Sequence, residues 1–222
     1  MARNHPITPK LNKIATEIIA WARSFLVPEH GDMIRPFGNK GEKKAGPVCP
    51  FIEPSLENDS FYLVFHPEIN GKSQGDVEEC LETYIELFKE MEPYSEERQH
   101  LKSLLIVFPD IPKDRFQVLT KAFSKLKPRF VENGLMLAPF YPTCDDRSIH
   151  NKRLLTSQTP YPLIALRHMA KHDILFLGGD KGWFNHYNTR FGHLFKSPDK
   201  LDEHELPLLS LYEDARKKHR SS

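Results

Sequence analysis

Cysteine is scarce in this chain of 222 residues: Cys49, Cys80 and Cys144 are odd in number and widely separated, with no CxxC pair. A disulfide framework and a zinc knuckle are both poorly supported, and a reducing compartment fits. Long apolar runs are missing too. Nothing approaches the roughly 20 residues that span a bilayer, and the Met-Ala-Arg-Asn-His-Pro start lacks the apolar segment of a signal peptide. These absences point to a cytoplasmic protein with no membrane partner. Charge of one sign is also lacking, because 31 Lys and Arg nearly balance 30 Asp and Glu, so no global field draws the chain to nucleic acid. No GxGxxG or GxxxxGK[ST] loop occurs, which argues against nucleotide chemistry.

What is present suffices for one substantial core. With 39% hydrophobic and 11% aromatic residues, a single domain over 1–222 is expected. Thr8-Pro9 opens a helix whose Leu11, Ile14, Ile18, Ala22 and Phe25 recur at helical spacing. Residues 27–49, rich in Pro, Gly and Lys and interrupted by Gly38, Gly41 and Gly46, read as a long polar loop. Phe61 to Phe65 is a short apolar run that reads as a strand buried on both faces. Ser73 then caps a helix with Val77, Leu81, Tyr84, Ile85 and Phe88 on one stripe. Leu104 to Phe108 forms a second buried strand, Phe116 to Leu126 a helix that Pro128 stops, and Leu135 to Phe140 a third strand. This predicts an α+β fold, with a small mixed sheet built from β-α-β-α-β units and flanked by helices. A helix is expected to open on Pro160-Tyr-Pro162, with further helices at Trp183 to Phe191 and Leu208 to Ala215, before a basic tail at 216–222.

The chemistry-bearing residues gather around 130–177, where the third strand empties into a loop holding Cys144, Asp145, Asp146, Arg147 and His150. Side chains of this kind at the end of an apolar strand more often form a site than a core. Among the 11 histidines, His66, His150, His168 and His172 are the candidates for a protected pocket; His5, His30, His193, His204 and His219 lie in polar or terminal surroundings. His66 follows a buried strand and serves equally well as a turn residue. His168 and His172, at i, i+4 on the expected helix, would suit a metal hydrolase, but no third ligand is evident. His150, between Arg147 and Arg153, is the leading ligand candidate, with a solvated loop residue as its alternative. Arg167 interrupts an apolar run, where it either binds an anion or pairs with Asp145, Asp146 or Asp173. Cys49, within Gly46-Pro-Val-Cys-Pro-Phe51, has no basic neighbour in sequence to activate it. It reads as packing that places Phe51, with an iron thiolate as the lesser alternative.

The Cys49-Pro-Phe51 turn, the Gly134-Leu-Met-Leu-Ala-Pro-Phe-Tyr-Pro142 run, Ile149-His150-Asn151 and the Pro160 to Met169 stretch together resemble a group of small bacterial proteins often encoded beside natural-product pathways. More distantly, their order is similar to the YqcI/YcgG-type heme proteins and to heme-dependent lysine N-oxygenases. The resemblance covers about Pro47 to Leu177. It implies a heme-dependent oxygenase that N-oxygenates the amino or guanidino nitrogen of an amino acid, with heme b as cofactor and dioxygen and an electron donor as co-reactants. It further implies an apolar cleft lined by Phe65, Phe140, Tyr141 and Trp183, with His150 on iron and His168 or His66 as alternative ligands. Arg147, Arg153 and Arg167 would bind propionates or a substrate carboxylate, and Asp145 or Asp146 the cationic end of the substrate. Those relatives commonly carry a histidine where this chain has Tyr141, so here either another residue holds iron or heme is not bound. A cofactor-free binding or interaction module is the other reading, and a homodimer is compatible with either.

Overall fold

The computed structural model describes residues 8–38, 42–92 and 96–220; His5, Gly41 and the last two residues of the basic tail lie outside them. Helix α1 (Pro9–Trp21) starts as its sequence dictates, with Thr8 Oγ1 accepting from the Leu11 N–H at 3.3 Å and Leu11, Ile14 and Ile18 buried. It continues into one π-helical turn, Ala22–Leu26.

The expected polar loop at 27–49 is instead mostly a hairpin, β1 (Glu29–Phe37) with β2 (Glu42–Pro47), antiparallel with a bulge between His30 and Ile34. Of its strand residues only Met33 and Gly46 are buried, so no alternating apolar pattern reveals it in the sequence. Helix α2 (Ile52–Glu57) leads to a four-stranded sheet of β3 (Phe61–Phe65), β4 (Ser103–Val107), β5 (Leu135–Phe140) and β6 (Leu163–His168) in the order β3-β4-β6-β5. β3 and β4 are parallel, joined through α3 (Gln74–Glu90) and the short α4 (Glu96–Gln99), while β6 runs antiparallel to both β4 and β5.

Three further expectations are corrected. β3 is an edge strand, half-buried along its whole length rather than buried on both faces. The stretch after Pro160-Tyr-Pro162 is the strand β6, not a helix. Both its faces are covered, which makes it a continuous apolar run, and periodicity does not separate such a run from a buried helix. Pro128 does not end its helix either, since α5 (Gln117–Glu132) runs through it. Burial of Phe130 and Val131 in the last turn outweighs the roughly 3 kcal/mol that an interior proline costs.

The pleat sends Leu104, Ile106, Leu135, Leu137, Ile164 and Leu166 into the main core beneath α3 and α5. Leu105, Val107 and Leu163 face α1 on the opposite side. The C-terminal part is helical, with α6 (Ile174–Leu177), α7 (Lys181–Phe191) and α8 (Leu206–Arg220) packed around Phe184, Tyr187 and Phe195.

His168, the last residue of β6, packs on Phe88 with ring centroids 5.0 Å apart. Burial, and then Lys102 and Lys89, pull its pKa from 6.5 to about 4. Between those values the unfolded chain holds more protons than the folded one, so stability falls as pH drops through this window. The expected contribution is about 3 kcal/mol. Urea midpoints at pH 7 and pH 4.5, compared with those of His168→Phe, check it; the variant should show the smaller acid loss.

Candidate functional site

The α1 face of the sheet carries Arg167 in register with Ser103 and Met136, then Ala165 with Leu105 and Ala138, then Leu163 with Val107 and Phe140. Ala138 and Ala165 are half-buried and set small side chains between Arg167 and the aromatic end. At that end Trp21 meets Phe140 edge-on at 5.9 Å and stacks on Phe25 at 6.3 Å.

Arg167 is fully committed. Asp173, completely buried, takes Nη2 at 2.6 Å and Nη1 at 2.7 Å; Nη1 also donates to the His168 carbonyl; and Phe51 covers the guanidinium at 4.1 Å. Burial works against the charge, but Asp173 more than offsets it, and the Arg167 pKa stands above its ordinary value. Of the alternatives weighed for Arg167, the ion pair with Asp173 is the one formed. The same carboxylate accepts from the Ala170 N–H at 2.7 Å. The 171–173 turn is tied down further by a Lys171–Glu205 ion pair and by Tyr187 Oη donating to the Lys171 carbonyl at 2.6 Å.

The hairpin lies alongside. Asn151 Nδ2 donates to the Asp32 carbonyl at 3.2 Å and Ser148 Oγ meets Met33 Sδ at 3.2 Å, joining β1 to the loop that carries His150. At the hairpin's other end the Gly38 N–H donates to the Glu203 carbonyl at 2.7 Å, and Phe37 meets His204 edge-on at 4.9 Å. Arg35 turns back along β2, its Nη2 donating to the Pro47 carbonyl and, at 3.5 Å, to that of Val48. This sets Arg35 near Cys49, His150 and His172, all four of them half-buried.

Their electrostatics are of one kind. Burial, and then Arg35 and His172, hold His150 below its ordinary pKa. His172 is lowered by burial and by Arg35 against the pull of Asp173. Both rings are therefore neutral near pH 7, and neither has a hydrogen-bond partner among the described residues. The Cys49 thiol has two basic neighbours in space that its sequence context conceals, Arg167 and Arg35, yet burial dominates and pushes its pKa up. It remains a thiol. Arg35 itself has no carboxylate within ion-pair distance among the described residues.

The other predicted residues do not join this cluster. Arg147, Arg153, Asp145 and Asp146 are exposed, and Arg147 Nη1 donates to the Lys152 carbonyl at 2.8 Å within its own loop. Tyr141 is buried beneath α5, its hydroxyl within 3.2 Å of Gln117 Nε2 and 3.1 Å of Thr120 Oγ1. His66 bonds Tyr84 Oη at 2.7 Å and Glu68 at 2.8 Å at the end of β3. His168 and His172 share no helix, so the i, i+4 pair does not form, and among the described residues no three His, Cys, Asp or Glu side chains assemble around a metal position. Phe65 packs beside α1, whereas Trp183 lies under Lys127 Nζ at 3.8 Å in an open groove of about 600 Å³ with Pro128, Glu132, Asp180 and His186. The expected common cleft of Phe65, Phe140, Tyr141 and Trp183 is therefore absent. Arg35, the residue that sequence reasoning missed, was hidden by reading its segment as loop.

The class of protein is thus a mixed α+β chain with a cationic, imidazole-bearing surface over one end of its sheet. The chain belongs to the family described as "Domain of unknown function (DUF6875)", whose model matches residues 15–202. No curated protein and no solved structure matched it. Among the described residues no helix is long and apolar enough to cross a membrane.

Proposed function

We propose that this chain is a heme-dependent oxygenase that N-oxygenates the amino or guanidino nitrogen of a small amino acid, working at the surface formed by Arg35, Cys49, His150 and His172. One observation carries the reading: a half-buried imidazole, His150, kept neutral and without a partner for its ring, stands near a cation without a carboxylate. A neutral ring nitrogen is what heme iron requires of a protein imidazole, and a guanidinium suits a propionate or a substrate carboxylate. In charge state the residues fit the group, while the grooves at Trp183 and between Arg23 and Glu57 do not include His150. His150 would hold heme b, with His172 as the alternative, and bound heme would supply the dioxygen chemistry with electrons from a separate donor. The chain's own part is to orient the ligand, to neutralise its acid group with Arg35 and to exclude water with Trp21, Phe140 and Phe51. Three unpaired thiols suit a reducing cytoplasm.

Hemin titration tests this. The wild-type protein should develop a saturable Soret band at one heme per chain, His150→Ala should lose or shift that band, and His66→Ala should leave it unchanged. A protein that stays colourless with excess hemin removes the proposal. A cofactor-free binding module is the second reading, favoured by Arg167 being spent on Asp173 and by the exposure of Arg147, Arg153, Asp145 and Asp146. It gains support if colourless protein retains a partner through purification.

A further inference from the structure

Resting on the reading of this surface as the working site, but not on heme, we propose that Arg35 is the seat for the carboxylate of a small ligand. The guanidinium is fixed before any ligand arrives. Its Nη2 is held by the Pro47 and Val48 carbonyls, and its Nη1 lies against Gly46, where a Cβ would meet it at 2.4 Å. Any larger residue at 46 would displace the group, so the glycine is what lets β2 cradle it. Nη1 keeps donors without an acceptor among the described residues.

Charge counting names the ligand class. Asp173 is bidentate to Arg167, Glu205 pairs with Lys171 and Asp202 accepts the His204 and Glu205 N–H groups, so none of the carboxylates that act on His172 pairs with Arg35. Arg35 itself is half-buried with no carboxylate in ion-pair distance among the described residues, a position in which an unpaired cation is costly. The neighbouring His150 and His172 rings offer hydrogen bonds without adding charge. The planar fork of a guanidinium matches a carboxylate, whose single charge equals that of Arg35.

Heme-free protein is titrated calorimetrically with glycine, L-lysine and L-arginine and with the three corresponding amides as probes. At least one acid should bind about 10-fold or more tightly than its amide, as expected for a hydrogen bond to a charged group. Arg35→Met should abolish that difference, and Gly46→Ala, which keeps the charge but displaces it, should reduce it. Far-UV circular dichroism verifies folding; if Arg35→Met fails to fold, the acid–amide comparison in wild type and Gly46→Ala decides. Equal binding of acid and amide, no binding by wild type, or wild-type discrimination in Arg35→Met overturns the proposal. A Soret band without acid–amide discrimination defeats the carboxylate seat alone, whereas discrimination by a colourless protein upholds it and defeats heme.

Discussion

Asp173→Ala is expected to lower stability by about 3–5 kcal/mol, because it strands a guanidinium that the fold has withdrawn from water. Asp173 is completely buried, and its two oxygens take both Arg167 Nη groups and the Ala170 N–H. Its loss therefore removes three charge-assisted hydrogen bonds together and frees the turn carrying His172. In a chain of this size the melting temperature should fall by on the order of 10 °C. Urea denaturation gives the free energy. The double replacement Arg167→Met with Asp173→Leu should recover most of the loss, since deleting both charges removes the stranded ion. Recovery would show that the single variant suffers from an uncompensated charge rather than from lost packing. Arg167→Lys with Asp173 kept should itself destabilise, because an ammonium reproduces neither the two-pronged contact nor the stacking on Phe51.

Lys102→Ala is expected to cost about 3 kcal/mol, as two carbonyls lose their donor and a void opens. Lys102 is completely buried, and its Nζ donates to the Phe88 carbonyl at 2.7 Å and the Met91 carbonyl at 2.5 Å while lying 4.9 Å from the Phe88 ring centroid. A cation at the carbonyl end of α3 also complements the negative pole of the helix. Burial lowers the Lys102 pKa, so the helix end and the aromatic face must together hold the charge. Lys102→Met keeps most of the volume and should lose less than the alanine variant. Either change removes one of the cations that depress His168, so the His168 ring should titrate above about 4, a shift readable by NMR.

Much of the architecture could be read from local chemistry. Thr8 and Ser73 announce their helices because a side-chain oxygen accepts an otherwise orphaned N–H, and both do so in the structure. The strands at Leu104 and Leu135 declare themselves as short apolar runs bounded by turns. The stretch from Leu163 to His168 did not, because a strand covered on both faces shows no period of two, and the prolines before it suit the start of either element. The hairpin at Glu29–Pro47 was hidden for the opposite reason: little of it is buried, so it has almost no apolar pattern. Reading it as loop also hid Arg35, whose importance lies in what it meets across space. Arg167 was identifiable as a charge out of keeping with an apolar run, whereas His150 stood out only as a ring with no apolar neighbours to give it a core role. Sequence separation alone did not reveal that Asp173 claims Arg167, or that Arg147 and Arg153 face solvent.

The strand order β3-β4-β6-β5 has a consequence for biosynthesis. A growing polypeptide can zip β3 to β4 as soon as both have left the ribosome, but β5 emerges before the strand that must lie between it and β4. Until Leu163–His168 is made, the fifth strand has no neighbour within the sheet, and its backbone N–H and C=O groups must wait unpaired under α5. The long excursion from Tyr141 to Pro162 then spans the interval during which the nascent sheet still has a missing slat, the stage at which a chaperone would find most to hold.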